Sequence, residues 1–387
     1  MINLLSKFMT ILNQNTNNFH LVIQTNSPGE LAAWVTPIVD TCLQVIPNCF
    51  ITVCLVPCQY ATGNEADVAD SIAGVQQVFT PKQTILFLFG LTSLPKQSSK
   101  GAVLCLGGDP FYTQLLGFRL GFPSSIYTEH HKKPGLFFKH VFYKHQYGDL
   151  MKARVAHYQR KELTKHDILQ HYHLPDRPYV LFFLGSRPNH FMAFAELILP
   201  TISHFLSLQD TVDIIIPVAP TISDNYLATI NHTCLGDRVH ILRGNSLDFM
   251  QLATCMMSLP GTNTAEALYM GLPMVTVVPL NRLDLLSLDG LVGLIGSIPW
   301  FGAWLKKLFV PMMLKKVSFV SLPNRIAQKK VVPEWIISIV PNILAQDFYD
   351  FVFNTSQLKT IKHDLQAIDS SQAVDEIIIK TLCQESS

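Results

Sequence analysis

Short apolar runs alternate with stretches of helical character along most of the chain. Because these runs are mostly apolar instead of alternating between apolar and polar residues, each predicts a strand that is buried on both faces of a parallel sheet, with helices covering the sheet. In the first half the runs are His20–Gln24, Phe50–Val56, Val78–Phe79, Ile85–Phe89, Ala102–Leu106 and Ser124–Thr128. In the second half they are Tyr179–Leu184, Val212–Pro217, Val239–Leu242, Cys255–Leu259 and Met274–Val278.

The pattern restarts after a polar helical stretch, Lys152–Tyr172, and a proline-flanked turn. The chain therefore predicts an α/β protein with two doubly wound, Rossmann-like domains facing a cleft, residues 1–175 and 176–345. A C-terminal helical segment, residues 346–387, would return to brace the first domain. This architecture is typical of GT-B glycosyltransferases and of epimerases with the same shape.

The amino-acid composition limits the kinds of molecule that the protein is expected to bind. The formal charge is +1, which gives no basis for bulk nucleic-acid binding. Only 15% of residues are charged and 48% are hydrophobic, which indicates large cores, a buried interface or membrane contact. The eight cysteines form no Cys-x-x-Cys pair and no zinc-type spacing, so we expect a reduced, intracellular protein. Residues 1–18 lack the features of a signal peptide.

The stretch 258–279 reads as strand, tight turn, helix and strand. Gly261 lies in the turn, Thr262 or Asn263 is placed to cap the helix, and Glu266 follows in its first turn. A helix N-terminus favours an anion, and a carboxylate one turn further can accept hydrogen bonds from ribose hydroxyls. The stretch therefore fits a nucleotide-sugar, although an ordinary strand-to-helix turn with a capping carboxylate explains the same residues.

Polar residues follow three predicted strands of the first half. They are Asn26–Glu30, Gly107–Asp109 and Glu129–His131. Ligands of parallel α/β sheets bind at the carboxyl ends of the strands, so these positions are candidates for a site.

Residues 283–316 differ from the rest of the chain. Gly290–Leu305 carries no charge and includes Trp300, Phe301 and Trp304, and Lys306 and Lys307 follow directly. The run is too short and too interrupted by glycine and proline to span a bilayer. Aromatic groups beside lysines are typical of a segment in the interface of an anionic membrane. The alternative is a hydrophobic insertion that folds onto its own domain.

Three motifs together resemble the lipid-A-disaccharide synthase family. Phe183-Leu-Gly-Ser-Arg187 is similar to the family's L-P-G-S-R, and Pro260-Gly-Thr-Asn-Thr-Ala-Glu266 with Pro273-Met-Val275 is similar to S-G-T-A-[TA]-L-E…P-M-V. Val320-Ser-Leu-Pro-Asn324 is similar to V-S-L-P-N. The resemblance implies a peripheral membrane GT-B enzyme that transfers an N-acetylglucosamine-type sugar from UDP to a phosphorylated, acylated glucosamine.

The first half departs more from this family than the second. Asn26-Ser-Pro-Gly-Glu30 stands where the family has G-E-x-S-G-D, and Gly107-Gly-Asp-Pro-Phe111 stands where it has G-I-D-x-P-D-F. The resemblance therefore implies that residues 176–345 bind a UDP-sugar. Residues 1–175 would take an acceptor that need not be the lipid A precursor.

The resemblance also implies roles for individual residues. Asp109 is the first candidate for the catalytic base, with Glu30 and His130 as alternatives; helix capping explains Asp109 nearly as well. The expected donor-binding residues are Gly185, Ser186, Arg187, Gly261, Thr262, Asn263, Glu266 and Asn324. The expected membrane contacts are Trp300, Phe301, Trp304, Lys306 and Lys307. No metal or cofactor is expected, because arginine and helix dipoles can neutralise the leaving diphosphate and no Asp-x-Asp pair is present.

These features favour an inverting UDP-sugar glycosyltransferase that acts on a lipid or amphipathic acceptor, with inversion taken from the resemblance. Such an enzyme would be cytoplasmic, associated peripherally with an anionic membrane, without nucleic-acid partners, and a homodimer is left open. Two alternatives remain: a UDP-sugar epimerase or hydrolase of the same fold, and a nucleotide-binding membrane protein that has lost its base.

Overall fold

The computed structural model describes residues 19–58, 63–130, 134, 137–228, 236–282, 319–368 and 374–384. These residues form two compact units that divide after Arg160, and the C-terminal helix belongs to the first unit. The sequence placed the division between residues 175 and 176, whereas the helix Lys165–His171 lies in the second unit.

The first unit is built on a six-stranded parallel sheet. Its strands are β1 (Phe19–Thr25), β2 (Cys49–Leu55), β3 (Gln77–Phe79), β4 (Gly101–Cys105), β5 (Ser124–Thr128) and β6 (His140–Tyr143). They lie in the order β3-β2-β1-β4-β5-β6, which is the Rossmann order. The strand order reverses between β1 and β4, and this switch point is where such sheets bind ligands.

Helices lie between most of the strands of the first unit along the chain. They are α1 (28–45), α2 (Glu65–Asp70), α3 (Pro81–Leu88), α4 (Pro110–Leu120), α5 (Lys144–Tyr147), α6 (Leu150–Gln159) and, at the C-terminus, Val374–Gln384. Within α1 the residues Leu31–Val35 form a π-helical stretch directly after Glu30. Such stretches are frequent at functional sites.

The C-terminal helix Val374–Gln384 packs into the core of the first unit. Ile378 and Ile379 are fully buried in the cluster that also contains the β1 side chains. The His157 Nε2 atom lies 2.7 Å from Asp375 Oδ2, and Thr41 Oγ1 donates to the same carboxylate. Burial disfavours the charge on Asp375, but these hydrogen bonds hold its pKa below the ordinary value. The prediction that a C-terminal helix braces the first domain is confirmed for Val374–Gln384. Residues 346–366 of the predicted segment instead lie in helices of the second unit.

The second unit repeats the topology of the first. Its strands are β7 (Tyr179–Phe183), β8 (Asp213–Val218), β9 (Val239–Arg243), β10 (Ala253–Ser258), β11 (Met274–Pro279) and β12 (Glu334–Ile337). All are parallel in the order β12-β11-β10-β7-β8-β9, which is the Rossmann order read from the other edge. The switch point therefore lies between β7 and β10.

Eight helices belong to the described part of the second unit. They are α7 (Lys165–His171), α8 (Pro188–Leu208), α9 (Asp224–Ala228), α10 (Ser246–Leu252), α11 (Thr262–Met270), α12 (Leu322–Ala327), α13 (Pro341–Phe353) and α14 (Thr355–Gln366). Among the described helices, only residues 190–208 of α8 are long and apolar enough to cross a membrane. Phe191, Phe194 and Phe205 on that helix are buried, and Phe205 packs against Phe348 of α13. Helix α8 is thus a core helix of this unit.

The predicted strands are confirmed with small shifts at their ends, apart from Ile85–Phe89. That apolar run lies largely in helix α3, because Thr80 and Gln83 form a capping box and Pro81 occupies the first helical position. The short strands β6 and β12 were not predicted, and the stretch Lys152–Tyr172 is divided between α6 and α7.

Candidate functional site

The loops after β1 and β4 leave the first sheet side by side. Gln24 of β1 is aligned with Cys105 of β4, so the segments that follow both strands share one edge at the switch point. The Gln24 amide ties these segments together, because its Nε2 donates to the carbonyl oxygens of Gly107, at 2.7 Å, and Asp109, at 3.1 Å. The sequence analysis missed Gln24, although a polar residue inside an otherwise apolar strand is a feature that could have identified it.

Glu30 lies within this edge. Its Oε2 atom accepts from Thr25 Oγ1 at 3.3 Å and from the Asn26 amide at 3.4 Å. The carboxylate also packs against Gly107, where a Cβ atom would lie 1.8 Å from Oε2. Only glycine therefore leaves room for this carboxylate. Burial raises the pKa of Glu30 above its ordinary value, although hydrogen bonds from Asn26, Thr25 and Ser27 oppose the shift.

Asp109 is the N-cap of α4. Its Oδ1 atom accepts from the Phe111 amide at 2.9 Å, and Pro110 occupies the first turn of the helix. The side chain is exposed. This geometry is the capping role that the sequence offered as the alternative to catalysis.

His130 is exposed just beyond the end of β5, the strand next to β4. Its amide donates to Thr128 Oγ1 at 3.1 Å. The neighbouring Glu129 forms an ion pair with Lys144, with 2.6 Å between Oε1 and Nζ. The role of His130 as a base stays a prediction.

The second switch point places two further loops side by side. Phe183 of β7 is aligned with Ser258 of β10, and the loops continue as Gly185–Arg187 and Pro260–Thr262. Gly185 has φ of +104°, a conformation that favours glycine. Thr221 Oγ1 donates to the Ser186 carbonyl oxygen, and Arg187 is the N-cap residue of α8. A turn that favours glycine therefore leads into a helix whose N-cap residue is an arginine.

Helix α11 begins beside that loop. Its N-cap is Gly261 and not Thr262 or Asn263, which corrects the expected cap, and no side chain caps the helix. Thr264 Oγ1 instead donates to the Gly261 carbonyl oxygen at 2.7 Å. Gly261 and Thr262 are exposed, so the positive end of the helix dipole is open to a ligand.

Glu266 lies one turn into α11 and is only 3% exposed. Its Oε2 atom accepts from Ser246 Oγ at 2.8 Å. Ser246 is the first residue of α10, and Asn245 caps that helix. The sequence analysis missed Ser246, because no local pattern links residues 20 positions apart.

Asn324 does not fit the donor-binding role predicted for it. The residue is fully buried. Its Oδ1 accepts from the amides of Val331 and Val332, and its Nδ2 donates to the Val332 carbonyl oxygen and to Glu334. Because the whole amide is used inside the protein, the motif Val320–Asn324 holds the start of β12 rather than a ligand.

The expected membrane contacts, Trp300, Phe301, Trp304, Lys306 and Lys307, lie outside the described residues. Within the described ranges, no group of three or more His, Cys, Asp or Glu side chains is arranged to hold a metal ion. The expectation that no metal or cofactor is needed stays a prediction.

A family model described as lipid-A-disaccharide synthetase matches residues 135–294. The lipid-A-disaccharide synthase of Cellvibrio japonicus is 28% identical over 217 residues, which are 53% of this chain and 50% of that protein. The enzyme of Alkalilimnicola ehrlichii is 27% identical over 174 residues, which are 44% of this chain and 40% of that protein. The chain is a divergent relative of the lipid-A-disaccharide synthases. It matches only about half the length of these curated relatives, or less.

Solved structures with the same fold include the UDP-GlcNAc 2-epimerase of Neisseria meningitidis bound to UDP-GlcNAc. It has a TM-score of 0.55 and 14% identity, and the match covers 95% of this chain and all of that one. A putative UDP-N-acetylglucosamine 2-epimerase from Listeria monocytogenes has a TM-score of 0.54 and 11% identity, with 96% and 98% covered. At these identities the likeness concerns the fold alone. The predicted α/β fold class with two Rossmann-like sheets is confirmed.

Proposed function

We propose that the chain is a UDP-sugar-dependent glycosyltransferase that transfers an N-acetylglucosamine-type sugar, with inversion, to a lipid or other amphipathic acceptor. One observation carries the proposal. The matched part of the lipid-A-disaccharide synthetase model, residues 135–294, contains both loops of the second switch point, Gly185–Arg187 and Gly261–Glu266. The family resemblance is therefore concentrated at the edge where a Rossmann sheet binds a nucleotide.

The residues of that edge suit a nucleoside diphosphate. The uncapped start of α11 and the turn at Gly185 present backbone N–H groups, and the Arg187 guanidinium supplies positive charge. These groups would stabilise the UDP leaving group without a metal ion. Glu266 would accept hydrogen bonds from the ribose hydroxyls, with Ser246 holding the carboxylate in place.

Glu30 is the base that the geometry of the first unit supports. In an inverting transfer, the acceptor hydroxyl attacks the anomeric carbon, its proton passes to a base, and UDP leaves from the opposite face. A base works best when its pKa lies near the working pH, and burial raises the pKa of Glu30 toward that range. The Asp109 carboxylate is already engaged with the Phe111 amide. This assignment replaces our first choice, Asp109, with its alternative.

The lipid or amphipathic character of the acceptor places the enzyme at the cytoplasmic face of a membrane. This part of the proposal follows the family resemblance, in which both substrates of the enzyme are acylated sugars. The departures at Asn26–Glu30 and Gly107–Phe111 mean that the acceptor itself need not be the lipid A precursor.

Isothermal titration with UDP and UDP-N-acetylglucosamine tests the donor site. Glu266→Ala and Arg187→Ala should each weaken binding by about 1–3 kcal/mol, because each removes a polar or charged contact. Arg325→Ala, an exposed arginine of the same unit, is the matched control and should leave binding unchanged. If the wild-type protein binds neither ligand, the glycosyltransferase proposal fails.

Turnover distinguishes this proposal from an epimerase of the same fold. A glycosyltransferase releases UDP only when an acceptor is present, and the sugar appears on that acceptor. NMR can monitor whether UDP-N-acetylglucosamine is converted to its 2-epimer without any acceptor. If it is, the chain is an epimerase and the glycosyltransferase proposal fails.

A further inference from the structure

Gln24 is a fully buried residue near the end of β1, and both ends of its side-chain amide are hydrogen-bonded. The Nε2 group carries two hydrogens, and it donates to the carbonyl oxygens of Gly107, at 2.7 Å, and Asp109, at 3.1 Å. The Oε1 atom accepts from the hydroxyl of Thr113 on α4. The orientation of the amide is therefore fixed, because a flip would set Oε1 against two carbonyl oxygens.

The loop after β4, which Gln24 holds, is also the loop that packs against Glu30. Gly107 is held from two sides, because its carbonyl oxygen accepts from Gln24 and the side without a Cβ lies against the Glu30 carboxylate. Gly108 follows with φ of +79°, in the left-handed region that favours glycine. The next carbonyl oxygen, that of Asp109, accepts from Gln24 again. One amide thus fixes the backbone on both sides of this turn.

The two faces of β1 divide the work at this edge. Side chains alternate along a strand, so Val22 and Gln24 face α4, whereas Ile23 and Thr25 face α1. On the α1 side, Thr25 Oγ1 donates to Glu30 Oε2 at 3.3 Å. The end of β1 therefore holds the carboxylate itself through one residue and the loop that covers the carboxylate through the residue before it.

We propose that Gln24, oriented by Thr113, is a positioning residue for the candidate base Glu30. It acts through the loop after β4 and not on the substrate, because its side chain is fully buried. This inference rests on the proposed function for the assignment of Glu30 as the base. Without the amide, the carbonyl oxygens of Gly107 and Asp109 would lose their donor, and the loop would turn toward water to satisfy them. The carboxylate would then lose its cover.

Loss of this cover has a signature in pH. Burial is what raises the pKa of Glu30, so a loosened loop should return that pKa toward its ordinary value. Cys105 of β4 and Asp109 of the loop are the other ionisable groups at this edge. Burial raises the pKa of the Cys105 thiol to about 11, so the thiol stays neutral near neutral pH. Asp109 caps α4 with an exposed side chain, and variants of Glu30 separate its titration from that of the base.

The pH profile of kcat/KM for the full-length enzyme tests this role. Gln24→Met keeps the unbranched shape of the side chain but removes the amide. It should lower kcat by about tenfold to a hundredfold, because the base is misplaced, and it should move the acid limb of kcat/KM to lower pH. Thr113→Val should act in the same direction with a smaller effect, whereas Thr113→Ser keeps the hydroxyl and should behave like the wild type. UDP affinity should not change in any of these variants.

Ser124→Ala is the matched control for a purely structural effect. Ser124 is buried, and its Oγ donates to the Thr113 carbonyl oxygen at 3.1 Å. The variant therefore loses a buried hydrogen bond to the same helix without removing any partner of the Gln24 amide. It should lower the Tm, as Thr113→Val does, but leave the pH profile unchanged. An equal shift of the acid limb in Ser124→Ala and Gln24→Met would assign the effect to lost stability and overturn the inference.

Thermal unfolding measures the same coupling without turnover. Above the raised pKa, Glu30→Gln should increase the Tm when Gln24 is present, because it removes a desolvated charge. The increase should be largely lost in the Gln24→Met background, where water reaches the carboxylate. This coupling without any transferase activity would support the positioning role and reject the proposed function. Equal increases in the two backgrounds, or an acid limb that does not move in Gln24→Met, would overturn the inference.

Discussion

The two sheets share one strand order, but their switch points carry opposite chemistry. At the first, a partly buried carboxylate on Glu30 packs against the backbone at Gly107, and desolvation raises its pKa. At the second, the uncapped start of a helix at Gly261 leaves the positive end of the helix dipole at an exposed turn, and Arg187 is the N-cap residue of α8. Under the proposed function, the first edge would accept a proton and the second edge would accept an anion.

This difference shows how little of the function is fixed by topology. Both sheets have the Rossmann order and both place loops at the same edge. The chemistry is set by a few residues after β1, β4, β7 and β10, while the rest of each unit supports them. A relative can therefore keep one edge and alter the other, which is the pattern of the departures at Asn26–Glu30 and Gly107–Phe111.

The largest effect that would separate the two edges is expected from Glu30→Gln. Glutamine preserves the shape of the side chain but cannot take a proton, so kcat should fall by about 10²- to 10⁴-fold. The affinity for UDP, measured by titration, should not change, because the proposed donor site is in the second unit. Asp109→Asn is the matched control, and it should stay within a few-fold of the wild type. Loss of activity in Asp109→Asn with activity retained in Glu30→Gln would reverse the two roles.

The pH dependence of activity and of stability in the wild type tests the assignment of Glu30 at the first edge. Because burial raises the pKa of Glu30, kcat/KM should fall on the acid side at a higher pH than for an ordinary carboxylate. Between the ordinary and the raised pKa, the folded state binds more protons than the unfolded state, so stability falls as pH rises. Glu30→Gln should therefore have a higher Tm than the wild type above this window and no advantage below it.

Gly107→Ala is expected to give a smaller loss through the same carboxylate. A Cβ atom 1.8 Å from Oε2 would force Glu30 out of position, and a misplacement of about 1 Å can cost about a hundredfold in kcat. UDP affinity should again be unchanged. In the double variant with Glu30→Gln, the second substitution should cost little further activity, because both act on one group. Full additivity would show that Gly107 serves something other than Glu30.

The strand ends at both switch points could be predicted from the sequence, because buried parallel strands are continuous apolar runs and their ends are marked by glycine and polar residues. The doubly wound, parallel architecture of both units could be predicted from the alternation of strands and helices, whereas the strand order needed the structure. The strand, turn, helix and strand predicted over residues 258–279 are confirmed, and the helix ends at Gly271, a glycine with φ of +65°.

What could not be predicted depends on contacts between distant residues. The Gln24 side chain donates hydrogen bonds to the carbonyl oxygens of Gly107 and Asp109, which lie 83 and 85 positions further along the chain. Ser246 of α10 donates a hydrogen bond to Glu266 of α11. Asn324 was assigned to the donor by resemblance, but only its burial and its four partners reveal a structural role. The choice between Asp109 and Glu30 likewise needed the cap at Phe111 and the packing on Gly107.

The smallest of these effects, and the most specific for the second edge, is expected from Gly261→Ala. An added Cβ would have no heavy atom within 4 Å, and φ of 171° is extended backbone that alanine adopts without strain. The unliganded protein therefore has no need for glycine at this position, and the Tm should not change.

If a diphosphate approaches the backbone here, the methyl group should lower UDP affinity by about tenfold, because anion binding at a helix start depends on close contact with its N–H groups. Titration with UDP measures this loss, and Gly107→Ala is its counterpart, with activity lost and affinity kept. Unchanged UDP affinity in Gly261→Ala would mean that no ligand closely approaches this turn, and the contrast between the edges would then rest on Glu30 alone.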